Sequence, residues 1–206
     1  MISRTSTLFL FGLLAISVQA QDNTPPYKAV ANVEEAIAKI EQLGGIVRRV
    51  AGSADAYEVD FQHQGSTLSD AHLQYLFSLK KVLVLRLRET RISDAGLAHV
   101  GKLTTLQRLY LEKTAVTDEG LKQLLDLKDL EYLNLYGTQV SNMGVERLKS
   151  LPKLRQLFVA ETKVTAAGIG ALQKSLPTLQ IVPDPFLAKT RAVESLKVAK
   201  SALSNA

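Results

Sequence analysis

Hydrophobic positions recur along this chain with a spacing that is neither purely helical nor purely strand-like. Val82, Leu106, Leu130 and Leu154 stand 24 residues apart, and each opens a segment of the form L-x-x-L-x-L-x-x-T-x-[IV]-[ST]-x-x-G-[LVI]-x-x-[LV]-x-x-L. Stacked, the segments align Leu85, Leu109, Leu133 and Leu157 in one column and Leu87, Leu111, Leu135 and Val159 in the next. Thr90, Thr114, Thr138 and Thr162 follow, then Ile92, Val116, Val140 and Val164, and finally Gly96, Gly120, Gly144 and Gly168. The alternation in L-x-x-L-x-L predicts a short strand, with its second and third leucines turned inward. The later half has helical spacing, with Leu97 and Val100, Leu121 and Leu124, and Val145 and Leu148 on one face.

A strand and a helix repeated at a period in the range of roughly 20–29 residues, with this leucine spacing, predict a leucine-rich repeat solenoid. The expected fold is therefore α/β, a curved stack with a parallel sheet on its concave side and helices on its convex side. Counting back 24 residues from the first full repeat finds a degenerate one. It places Phe61 and His63 at the inward strand positions, Ser66 in the threonine column, Leu68 in the branched column and His72 in the glycine column. Five repeats over 61–182 are thus expected. Ahead of them, Asn32 reads as a helix N-cap with Glu35 completing a capping box, and the helix ends at Gly44-Gly45. Apolar runs at 46–50 and 57–61 predict a hairpin, so 32–60 reads as an N-terminal cap that hides the open end of the stack.

The ends of the chain read differently. Arg4, an apolar run of eleven residues at 8–18 and the small-residue pattern Val18-Gln19-Ala20 have the form of a secretory signal peptide covering 1–20. That run is too short to span a bilayer core of roughly 30 Å. Residues 21–31, with a Pro-Pro pair, read as an extended linker. Residues 183–206 read as a C-terminal capping helix or a tail, carrying Lys189, Lys197 and Lys200.

Composition narrows the functional classes. With no cysteine there are no disulfides, so an exported stack must hold by packing alone. The formal charge of +5, or +4 without Arg4, is spread along the chain with no basic block, which argues against nucleic acid as a partner. The three histidines, His63, His72 and His99, share no metal-ligand spacing, and no cofactor is expected. Ser93, Thr117, Ser141 and Thr165 sit where helix N-caps belong, with Asp94 and Asp118 suited to the helix dipole. The threonine column is expected to form a hydroxyl ladder between neighbouring repeats. Nothing here assembles a catalytic set, and no enzymatic activity is expected.

The outward strand positions are free of core duty. They read Asp60, Val84, Arg108, Tyr132, Gln156 in one column; Gln62, Arg86, Tyr110, Asn134, Phe158 in the next; and Gln64, Arg88, Glu112, Tyr136, Ala160 in the third. The candidate binding residues are Arg86, Arg88, Arg108, Tyr110, Tyr132, Asn134, Tyr136 and Phe158, because Tyr and Arg are enriched at interface hot spots. The expected function is recognition of a protein partner by this face, in a protein exported to the periplasm, the cell surface or the medium. The alternative is an envelope-associated structural protein attached through its basic C-terminal segment. No transmembrane segment is expected once the leader is removed.

The run from Leu106 to Leu121, LQRLYLEKTAVTDEGL, resembles leucine-rich repeats of planctomycete-type exported bacterial proteins, within the ribonuclease-inhibitor-like superfamily. The resemblance covers residues 33–182 and implies a curved solenoid that binds macromolecules on its concave side. It carries over neither a partner nor a catalytic residue. His72 in place of glycine and Ala166 in place of aspartate depart from the pattern in the first and last repeats.

Overall fold

In the computed structural model, residues 32–62 and 68–182 are described. The signal-peptide, linker and C-terminal expectations lie outside these residues, as do His63, Gln64 and Ser66.

The chain starts with helix α1 (Val33–Gln42), whose first turn is tied down by Asn32: its Oδ1 accepts from the Glu35 N–H at 2.7 Å. Gly44, at φ 79°, turns the chain out of the helix into β1 (Ile46–Arg49) and then β2 (Ala56–Asp60). The repeats supply β3 (Lys81–Arg86), β4 (Arg108–Tyr110), β5 (Tyr132–Asn134), β6 (Gln156–Phe158) and β7 (Gln180–Val182). Between them run α2 (Asp94–Val100), α3 (Asp118–Leu121), α4 (Asn142–Arg147) and α5 (Ala166–Ser175), with 3-10 turns extending α3 and α4. Among the described residues the seven strands form one sheet in chain order, antiparallel at β1–β2 and parallel thereafter.

The ladder is in strict repeat register: Leu85 faces Leu109, Leu109 faces Leu133, Leu133 faces Leu157 and Leu157 faces Ile181. These inward leucines have no exposed surface, and neither do Leu97, Leu121 and Leu124 of the helical halves, so the core lies between the two layers. Burying one such side chain is worth roughly 2 kcal/mol.

The first repeat departs from the simple count. Val59, not Phe61, faces Leu85, and the Phe61 N–H donates to the Arg86 carbonyl as the Leu87 N–H does to Tyr110. Phe61 therefore occupies the Leu87 column, and the inward pair is Val59 and Phe61 rather than Phe61 and His63. The shift arises because Phe61 and Leu68 are two residues further apart than Leu87 and Ile92. A shift of two keeps each side chain on its own face, which is why Phe61 still points inward. The outward columns begin accordingly with Glu58 beside Val84 and Asp60 beside Arg86. Strand β2 thus closes the hairpin and also starts the parallel ladder.

Helix starts show how neighbouring repeats are fastened. Ser93, Thr117 and Ser141 cap their own helices through weak contacts of 3.2–3.3 Å. Stronger bonds come from the preceding repeat. Asp70 accepts from the Ser93 N–H and hydroxyl (2.8 and 2.5 Å), Asp94 from Thr117 (2.8 and 2.6 Å), and Asp118 from Ser141 (2.7 and 2.5 Å). Asn142 holds Thr165 the same way: its Oδ1 accepts the Thr165 N–H at 2.8 Å and its Nδ2 donates to the hydroxyl at 2.9 Å. The glycine column exists for this clasp. A Cβ on Gly96, Gly120, Gly144 or Gly168 would lie 2.1–2.3 Å from an oxygen of Asp70, Asp94, Asp118 or Asn142.

Two sequence departures now have reasons. His72 needs no such space; its Nδ1 accepts the Ser69 N–H at 3.0 Å and serves its own 3-10 helix, Asp70–Ser78. Ala166 opens α5, and no later helix among the described residues offers a start for an aspartate there to reach. The threonine hydroxyls do not bridge repeats. Thr90, Thr114, Thr138 and Thr162 each donate to the carbonyl three residues earlier, at 2.6–2.7 Å, because that strand-end carbonyl lies nearest.

Candidate functional site

The sheet face turned away from the helices carries the outward columns in rows across the strands. Val84, Arg108, Tyr132, Gln156 and Gln180 pair in one row, and Arg86, Tyr110, Asn134, Phe158 and Val182 in the next. Strand pleating puts both rows on one face, and parallel register places diagonal neighbours within reach of aromatic rings. Tyr110 and Tyr132 have ring centroids 4.7 Å apart, and Tyr132 and Phe158 lie at 5.2 Å, with tilts of 34° and 40°. Three aromatics from three consecutive repeats thus make one continuous stripe. Each such contact is worth about 0.5–1.5 kcal/mol beyond burial.

Cations border the stripe. The Arg86 guanidinium sits 5.2 Å over Tyr110 and is paired with Glu58 at 3.3 Å. The Arg108 guanidinium sits 4.8 Å over Tyr132 and donates to the Tyr110 hydroxyl at 2.9 Å. Arg88 stands beyond the stripe, paired with Glu89 at 3.5 Å. Asn134 donates to Glu112 at 2.7 Å, and its Oδ1 accepts the Tyr136 N–H at 3.0 Å. Of the eight candidates, Arg86, Arg108, Tyr110, Tyr132 and Phe158 form the stripe and its edge, while Asn134, Tyr136 and Arg88 belong to a polar end. Burial pushes the Tyr132 phenol upward, with the neighbouring Tyr110 next in effect.

Glu112 reads from the sequence as a plain surface residue and is not one. It is half-buried; one carboxylate oxygen accepts from Asn134, while the other, Oε2, is shut off from solvent with no hydrogen-bond partner among the described residues. Burial raises its carboxyl above the ordinary 4.5, against a backbone hydrogen bond and the pull of Arg88. The sequence signal was its place next to Arg88 in the third column. Above 4.5 the unfolded chain sheds this proton before the folded one, so ionisation of Glu112 erodes stability as pH rises through that window. Glu112→Gln keeps an acceptor for Asn134 and removes the charge. It is expected to raise the urea midpoint at neutral pH, with a gain that shrinks as pH falls towards 4.5. An equal gain at both pH values would contradict this assignment.

His99, on α2, is partly covered. Its ring lies 5.6 Å from Phe77, Nδ1 is buried with no partner among the described residues, and burial lowers its pKa, with Lys102 adding to the effect. Among the described residues no group of three or more His, Asp or Glu side chains is placed to hold a metal, and no helix is long and apolar enough to cross a membrane.

No family model matches the chain, and no curated protein matches it. Among solved structures it is similar to "Leiomodin-1 Actin-Binding Site 2 (ABS2)", at 14% identity and a TM-score of 0.49, over 84% of this chain and 99% of that one.

Proposed function

We propose that this chain is an exported, non-enzymatic leucine-rich repeat module that binds a protein partner on the concave face of a curved solenoid. In this reading α1 and the β1–β2 hairpin cap the N-terminal end, and the protein acts in the periplasm, at the cell surface or after release. One observation supports it above the others. The stripe Tyr110–Tyr132–Phe158, with Arg108 laid over it, is assembled from positions that the core does not use. Rings and guanidinium already ordered on a rigid sheet lose little entropy when a partner arrives. Tyr and Arg are also the side chains that dominate interface energies.

The test replaces Tyr110, Tyr132 and Phe158 together with alanine. Binding partners captured from exported proteins by the wild type are titrated against both proteins, after circular dichroism establishes that both are folded. Affinity is expected to fall at least about tenfold in the variant, given the usual weight of buried aromatic anchors. Equal affinity would remove this face from consideration.

A further inference from the structure

Resting on the protein-recognition reading above, we propose that the face selects an acidic polypeptide segment. Its carboxylate is received by Arg108, and a neighbouring apolar side chain lies on the Tyr132–Phe158 part of the stripe.

The three arginines of the face differ in what they already hold. Arg86 is ion-paired with Glu58 and Arg88 with Glu89. Arg108 has no carboxylate within 4.0 Å among the described residues; its side chain donates to a neutral hydroxyl, that of Tyr110. A guanidinium has five N–H donors in a planar fork, so most of the Arg108 fork is available. The Tyr132 ring at 4.8 Å and the bond to Tyr110 hold the guanidinium at this place before any ligand comes. A planar fork held in this way matches a carboxylate bidentately, which an ammonium cannot do.

The fork opens onto a groove of about 540 Å³ at the leading ends of β4 to β7. Arg108, Tyr132 and Gln156 line it, together with Glu131, Lys153 and Arg155. Lys153 is held by Asp129 at 2.6 Å, whereas Arg155, like Arg108, has no carboxylate partner among the described residues. Two unpaired guanidiniums against the single carboxylate of Glu131 leave the groove favourable to one or two negative charges. A polyanion would call for a longer run of unpaired cations than this. The aromatic stripe and the Gln156 and Gln180 amides instead suit the mixed apolar and hydrogen-bonding surface of a peptide.

The test uses the full chain and a phage-displayed random peptide library. Enriched sequences are then made as labelled peptides and titrated by fluorescence anisotropy, with dextran sulfate as a second probe. The expected peptides carry Asp or Glu beside an aromatic or aliphatic residue, and bind more weakly as salt rises. Arg108→Gln is expected to weaken them about tenfold, and Arg108→Lys to restore only part of the loss. Arg108 is exposed, so neither change threatens the fold. Enriched peptides without acidic residues, or full affinity in Arg108→Gln, would overturn the inference. If Tyr132→Ala abolishes binding while Arg108→Gln leaves it intact, the recognition face stands and the acidic preference falls. No enrichment, or indifference to both changes, sinks both readings. Dextran sulfate binding through Arg108 more tightly than every peptide would make the site a polyanion site and overturn the proposal.

Discussion

Gly144→Ala is expected to lower unfolding free energy by about 2–3 kcal/mol, yet to cost close to nothing once Asp118 is also alanine. The new methyl would lie 2.2 Å from Asp118 Oδ1, the atom that accepts the Ser141 N–H. The carboxylate must swing away, and both of its bonds to Ser141 go with it. Hydrogen bonds to a charged group are worth roughly 1.5–3 kcal/mol each, and water recovers part of that loss. Alanine also favours helix over glycine by about 1 kcal/mol, which offsets some of the damage. With Asp118 removed there is no carboxylate to displace, and the nearest remaining contact is a Val140 methyl at 3.0 Å. Urea unfolding of the two single variants and the double variant measures the coupling directly. Additive losses would mean that the glycine column does not serve the aspartate clasp.

Gly101→Ala is expected to cost about 3 kcal/mol, at the upper end for an added methyl group. Gly101 ends α2 in an ordinary right-handed conformation, so backbone strain is not the issue. Its Cβ would stand 2.1 Å from the Gln123 carbonyl oxygen of the next repeat. That oxygen is backbone, and it retreats only if two repeats part along the stack. Leu125, Lys149 and Gln173 occupy the equivalent positions, so the close approach is particular to this junction. A midpoint within error of the wild type would show that the junction yields freely.

Much of this architecture was legible because it repeats. A leucine column every 24 residues can be satisfied by strands in strict register, and Leu85, Leu109, Leu133 and Leu157 are found so. Counting failed where the period itself broke: two additional residues between Phe61 and Leu68 leave no mark in a polar stretch. The clasp was hidden for another reason. Asp94 and Thr117 are 23 residues apart, and each has a sufficient local explanation, as dipole partner and as N-cap. Only stacking shows that one oxygen set serves the next helix and that glycine makes room for it. The aromatic stripe could be anticipated from the outward columns. The seclusion of Glu112 could not, since it depends on which side chains around it fold over.

In the proposed function the sheet face of the repeats, rather than their helical face, meets the partner. Photo-cross-linking decides this most directly, with p-benzoylphenylalanine placed at Tyr132 in one protein and at Met143 in another. Met143 lies in the repeat to which β5 belongs, but on the helical side, and is 67% exposed. Cross-linked polypeptide is expected from the Tyr132 position and none from Met143. Cross-links from Met143 with none from Tyr132 would contradict the proposed function.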